Sequence, residues 1–450
     1  MIQKHSILKG AFILTATGLA TRFAGFFYRI FLSRSFGEEA VGVYQLVFPV
    51  YALAFSFCAA GIQTAIARST ASYHSLKKPH LTKASLYSGF SLSVLLSFLL
   101  MLLMQQKAPY IAEHFLHEPR CAPLLTVLAL ALPFSSMHSC ICGYYIGCKS
   151  TRIPAVSQLL EQTVRIGCVV ILYDYFSRRS TSAGIILAAA GIVAGEAASS
   201  FFCLLKFRKN APFSNRNIPG GPCRLKPGMY KQGLHSILSV AVPLTGTRVL
   251  LGILQSIEAV SIPLKLQSFG LTLGDSLRLY GILTGMALPC ILFPSAITNS
   301  LATMLLPAVA EIHAAGNEAA MKNLIRKVFF GCLGLGLFFC LLFVTTGNLM
   351  GRILFGSATA GSFIITLAWI CPFLYTNGNL IGILNGLGKT NLSFLFNTVG
   401  LLLRIGGIWF LIPKFGIQGY LWGLLIGQCT VFSLVLLYLN LYFRENRISG

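Results

Sequence analysis

The chain is predicted to be an all-α polytopic membrane protein. It is expected to hold about twelve transmembrane helices in two six-helix lobes related by pseudo-two-fold symmetry. Three observations predict this. First, the 450 residues are 55% hydrophobic and only 10% charged, with a mean hydropathy of +0.74, whereas a soluble domain is about 25% charged. Second, apolar windows long enough to cross a bilayer recur along the chain, and a β-barrel would show short alternating segments instead. Third, the second half of the sequence echoes the first.

The windows place spans near 8–32, 40–66, 84–104, 121–146, 153–175, 183–205, 233–256, 278–305, 328–347, 363–384, 392–412 and 418–442. The first is a span and not a cleaved signal. Lys4 and Lys9 precede an apolar run, but Arg22 and Arg29 interrupt it and no small-residue cleavage site follows. In the seventh, Pro243 is placed to kink the helix and open backbone groups. Between the sixth and seventh lies a basic stretch holding Pro212, Pro219, Gly220, Gly221, Pro222 and Pro227, the composition of a linker. The expected division is therefore an N-terminal lobe over 1–208, a cytoplasmic linker over 209–231 and a C-terminal lobe over 232–450.

The formal net charge is +23. In a soluble protein that would point to nucleic acid. Here the basic residues concentrate in short loops, roughly two to one on the side that holds both termini, so the positive-inside rule accounts for them. No nucleic-acid partner is expected, and both termini are placed in the cytoplasm. Arg178 and Arg179 are a local exception. Thirteen cysteines are scattered, mostly in spans. Cys140, Cys142 and Cys148 are the densest group, but the C-x-C spacing with no histidine placed beside it reads as apolar packing, not zinc.

The duplication shows as ordered matches. Leu14-Thr15-Ala16-Thr17 recurs as Leu244-Thr245-Gly246-Thr247, Phe36-Gly37 as Phe269-Gly270, Tyr44 as Tyr280, and Arg165-Ile166-Gly167 as Arg404-Ile405-Gly406. The offset drifts from 230 to 239 residues, as small loop insertions would make it. Six spans per half is an even number, so the repeat is parallel, and transporters of that kind place substrate between the halves.

Five arginines stand inside these spans: Arg22, Arg29, Arg165, Arg248 and Arg404. A charge at the bilayer centre costs about 2.5–3.5 kcal/mol on insertion scales, so such residues face a bundle interior or a wet cavity. Thr15, Gly18, Arg22, Gly25 and Arg29 share one helix face, opposite Leu19, Phe23, Phe27 and Ile30. The repeat places Thr245, Arg248, Gly252, Gln255 and Ala259 on the corresponding face of the seventh span. The rival to a cavity is snorkelling to the headgroups, which suits Arg29 better than Arg22. Glu161 and Arg165 are an i, i+4 pair beside Gln158, read either as a neutralised packing pair or as a gate. Their duplicates are Asn397, Gly400 and Arg404; that arginine has lost its glutamate and is expected to be free to hold substrate. Glu196 either pairs with Arg165 or carries a proton, and His138 is read as a hydrogen-bonded packing residue. No Walker A, H-E-x-x-H or G-x-S-x-G sequence occurs, so neither an enzyme nor a cofactor is expected.

Four stretches carry a resemblance. Lys9 to Arg68, Gly143 to Arg165 with its P-A-V-S-Q-x-x-E-Q-x-x-R core, Leu279 to Glu311 with YGILTGMALP and FPSAITNSL, and Asn385 to Gly419 with NGLGKTN are similar to the multidrug/oligosaccharidyl-lipid/polysaccharide exporter superfamily. The resemblance is to its polysaccharide-transporter branch and the stage V sporulation members within it. It implies a bundle of twelve to fourteen helices in two lobes around a V-shaped cavity, as in the multidrug exporters and flippases of the superfamily. It also implies export of polyprenyl-diphosphate-linked glycans to the outer leaflet in cell-wall synthesis or sporulation, among membrane lipids and proteins of those processes. Arginines of the first and seventh spans hold the diphosphate in related flippases, and Arg22, Arg29 and Arg248 occupy matching positions. The lipid II flippases have fourteen spans and this chain reads as twelve. The rivals are a cation-coupled multidrug antiporter, which would need cavity carboxylates, and a membrane scaffold that transports nothing.

Overall fold

The structure, a computed structural model, describes residues 2–76, 78–179, 184–209, 227–314 and 318–448. The expected linker at 209–231 lies mostly outside them. Among the described residues every regular element is helical. The first part of the chain forms α1 (Ile2–Phe36), α2 (Glu38–Phe55), α3 (Gly61–Ser75), α4 (Pro79–Gln106), the short α5 (Ala108–Tyr110), α6 (Cys121–Ala129), α7 (Ala131–Gly147), α8 (Arg152–Arg178) and α9 (Ile186–Lys209). The second forms α10 (Pro227–Ser268), α11 (Leu273–Gly281), α12 (Leu288–Leu292), α13 (Ser295–Ala314), α14 (Glu318–Met350), α15 (Ala358–Ala368), α16 (Cys371–Gly386), α17 (Thr390–Phe410), α18 (Ile412–Phe415) and α19 (Ile417–Ile448).

Local chemistry sets the boundaries. Gly37, at φ +84°, breaks the chain between α1 and α2. Pro79 opens α4 where a missing amide costs nothing. Thr272 caps α11 by accepting from the Asp275 amide at 3.1 Å, and Ser357 caps α15 through the Ala360 amide at 3.2 Å.

The repeat seen in sequence reappears as irregularity. Among the described residues four π-helical turns interrupt the helices, at Ser56–Ala60, Ile111–Phe115, Ile282–Ala287 and Gly351–Phe355. They fall in two pairs, one joining α2 to α3 and α11 to α12, the other ending α5 and α14. Two bent helix pairs match as well: α6 with α7, at 40°, and α15 with α16, at 55°.

Among the described residues eight helices are long and apolar enough to cross a membrane, or up to ten if each bent pair is one span. This does not reach the expected twelve; the windows at 8–32 and 278–305 fall on α1 and on the α11–α13 region, which are outside that count. The chain is a multi-pass membrane protein. Its helices keep large apolar side chains exposed, among them Leu19, Phe23 and Phe27 on α1, as lipid solvation allows.

Two compact units partition the chain. Unit one comprises Met1–Gly25 and Val43–Ser256, and unit two Phe26–Gly42 and Ile257–Gly450. They are not the sequence halves, since α1 and α10 each contribute to both. The core of unit one gathers Ile62, Ile66, Leu86, Cys140, Tyr144 and Ile237, so the first part of α10 is packed there. The core of unit two gathers Leu305, Leu380, Ile383, Leu384, Val431 and Val435. Arg34, at the end of α1, donates to the carbonyls of Ile353 and Leu354, the latter at 2.8 Å, and so joins unit two.

Glycine lets one helix pair close in each unit. A methyl group on Gly195 of α9 would stand 2.7 Å from the Glu161 carbonyl and 3.2 Å from Arg165 Cβ on α8. In unit two a methyl on Gly427 of α19 would stand 2.9 Å from the Gly400 carbonyl and 3.0 Å from Arg404 Cγ on α17. Each lies four residues after another small residue, Gly191 and Gly423, the spacing that lets apolar helices approach backbone to backbone.

Candidate functional site

The arginines predicted from sequence do not share one environment. Arg22 is exposed on α1. Among the described residues it pairs with no carboxylate. Its neighbours on that face leave room: nothing lies within 4 Å of a methyl group placed on Gly18, and Gly25 faces Gln162 of α8, whose Nε2 would be 3.5 Å from such a methyl. The side chain of Thr15 lies outside the described residues. Arg248 on α10 is exposed too and donates from Nη2 to Thr64 Oγ1 of α3 at 3.3 Å. Thr64 in turn donates to the Ala60 carbonyl at 3.1 Å, in the first π-helical turn. One neutral hydrogen bond leaves a guanidinium with donors and its full charge. Gln255, two turns further along α10, is exposed as well.

Arg29 is half-buried and donates from Nη1 to the Thr284 carbonyl of the third π-helical turn at 3.2 Å. A π-helical turn displaces carbonyls from the regular ladder, and a cation is a suitable donor to one of them.

Arg404 corrects an expectation. It is not free to hold substrate, because Glu258 of α10 binds it through two hydrogen bonds, Nε to Oε1 at 2.9 Å and Nη2 to Oε2. Tyr420 of α19 donates to the same carboxylate at 3.0 Å. Glu258 is 5% exposed. The sequence windows ended the seventh span at 256 and left Glu258 outside; α10 continues to Ser268 and carries it inward. Asn397, one of the expected polar residues of α17, is exposed and turns its amide back to the Ser393 carbonyl at 2.8 Å.

Unit one holds a cluster of half-buried charges. Glu161 and Arg165 pair across one turn of α8. Glu196 of α9 turns to His138 of α7, with Oε2 3.4 Å from Nδ1. The ligand atoms of His138, Glu161 and Glu196 all lie within 4.8 Å of one another. Two carboxylates, one guanidinium and one imidazole thus share a small volume, each acid beside a base. The other face of the His138 ring meets Ser157 of α8, Nε2 to Oγ at 3.0 Å. Beyond Ser157 lie Cys142 and Cys203. The expectation that no histidine stands with these cysteines is corrected: His138 precedes Cys142 by four residues on one helix, a spacing visible in the sequence.

Comparison with known proteins gives the family. Residues 7–313 match the family model described as polysaccharide biosynthesis protein. The chain belongs to that family. It is 30% identical over 439 residues to stage V sporulation protein B of Bacillus subtilis, covering 96% of this chain and 83% of that one. It is 21% identical over 348 residues to the lipid II flippase MurJ of the same organism, covering 72% and 61%. Its fold is similar to that of a multidrug resistance MATE family transporter of the MOP superfamily, itself solved in an inward-facing conformation, with a TM-score of 0.73 over 98% of this chain and 99% of that one at 13% identity.

Proposed function

We propose that the chain is a flippase for a polyprenyl-diphosphate-linked glycan, moving it to the outer leaflet of the bacterial cytoplasmic membrane by alternating access. The observation that carries this reading is the state of Arg22 and Arg248. Both are exposed cations on apolar helices, and neither meets a carboxylate among the described residues. A bare diphosphate in hydrocarbon is prohibitively costly, and charge-assisted hydrogen bonds from guanidinium groups offset that cost. Arg29 joins them in the proposal; Arg404 does not, since Glu258 occupies it. The family match and the relative named lipid II flippase support the substrate class. The relative named for sporulation supports a role in spore or cell-wall assembly. An inside-negative potential favours outward movement of the anion.

The multidrug antiporter reading needs carboxylates available to cations. Glu161, Glu196 and Glu258 each face a basic side chain already. The test is a leaflet-sidedness assay in vesicles with labelled polyprenyl-diphosphate sugar, comparing the native chain with Arg22→Ala and Arg248→Ala. Losing one charge-assisted contact of about 1.5–3 kcal/mol should slow flipping about tenfold or more. Equal flipping by all three proteins would reject the arginine mechanism, and no flipping by the native chain above protein-free vesicles would leave the scaffold role.

A further inference from the structure

We propose that His138, Cys142 and Cys203 form a zinc site in unit one, independent of the transport reading above. Three ligand atoms, an imidazole nitrogen and two sulfurs, lie within 4.8 Å of one another. Tetrahedral zinc with Zn–S of about 2.3 Å and Zn–N of about 2.0 Å sets its ligands about 3.5–3.8 Å apart, so side-chain rotation closes the set. Both thiols are free and both are buried.

The ring has the orientation such a site needs. Nε2 points to the sulfur side, where Ser157 Oγ stands 3.0 Å from it and 3.5 Å from Cys142 Sγ. Nδ1 points the other way, 3.4 Å from Glu196 Oε2 and 3.3 Å from Ser199 Oγ. A histidine that ligates through one nitrogen and donates its other N–H to a carboxylate is held in one tautomer and made a better ligand. Glu196 thereby acquires a positioning role. Ser157 Oγ, which also donates to the Pro154 carbonyl at 2.9 Å, lies beside both His138 Nε2 and Cys142 Sγ.

Charge selects the metal. Two thiolates and a neutral imidazole around a divalent ion sum to zero, the state that a buried membrane site tolerates best. Each thiol releases its proton to solvent as the metal binds, so binding strengthens as pH rises. A monovalent copper ion would leave a net negative site. The alternative trio of His138, Glu161 and Glu196 is less suited, because Arg165 already pairs with Glu161. Cys203 lies one turn before Lys206, in the basic last turn of α9. Bound zinc would rivet α7 to α9.

The test is metal analysis of the full-length protein purified in detergent without chelator. About one zinc per chain is expected. It should be lost in Cys142→Ser and Cys203→Ser and kept in Cys140→Ser and Cys148→Ser, which carry neighbouring thiols outside the site. As a readout on the unmutated chain, cobalt exchange should give thiolate-to-cobalt charge-transfer absorption, and chelation should lower the thermal midpoint. Absence of stoichiometric metal together with no cobalt–thiolate band would overturn the proposal. So would a Cys142–Cys203 disulfide found by mass spectrometry.

Discussion

Arg404 and Glu258 face each other through two parallel hydrogen bonds, although 146 residues separate them. Arg165, the repeat partner of Arg404, takes its carboxylate from one turn earlier on its own helix. The two units thus neutralise equivalent arginines from different directions. Where α17 carries Gly400 at the position of Glu161, α10 supplies the acid from across the packing interface.

Breaking the unit-two pair from one side is expected to be worse than removing it whole. Glu258→Ala strands a buried guanidinium, a loss of about 3–5 kcal/mol, whereas Glu258→Leu with Arg404→Leu removes both charges and keeps apolar volume. Thermal unfolding in detergent should rank the double variant above the single one. The opposite order would mean that the pair is not coupled.

Arg248 should tolerate loss structurally but not functionally. It makes one hydrogen bond to the half-buried Thr64, so Arg248→Ala should shift stability by less than about 1 kcal/mol. Flipping should fall, and Arg248→Lys should restore only part of it, because an ammonium cannot make the bidentate contact a diphosphate accepts. Full rescue by lysine would show that charge alone suffices there.

Gly195→Ala and Gly427→Ala should each destabilise the protein by about 1–3 kcal/mol, since the added methyl meets backbone oxygen. Gly167→Ala is the control: nothing lies within 4 Å of its methyl, and alanine is the better helix former by about 0.5–1 kcal/mol. Melting midpoints of the three variants, measured side by side, check the packing of both helix pairs.

The charge bias of the loops makes a topological prediction. A fluorescent reporter fused after Gly450 should be bright, and a periplasmic phosphatase fused at the same point inactive. Active phosphatase would invert the orientation on which outward transport depends.

Much of this architecture was legible because lipid imposes a simple rule on composition. Long apolar windows located most helices, whereas the matched bends had no counterpart in the sequence reading. Local spacing also read correctly onto α8, where Glu161 and Arg165 pair. What stayed hidden was long-range. Glu258 sat two residues past a window of standard length, while α10 runs for 42 residues, and no periodicity links position 258 to 404. The His138 and Cys142 spacing was available, but Cys203 arrives from α9, and only packing reveals that the three sulfur and nitrogen atoms converge.

The paired π-helical turns carry a historical implication. Each such turn is a helix with one residue too many, and two separate insertions landing at matched places in both copies is a poor explanation for the pattern. One bulged sequence copied once accounts for both matched places together.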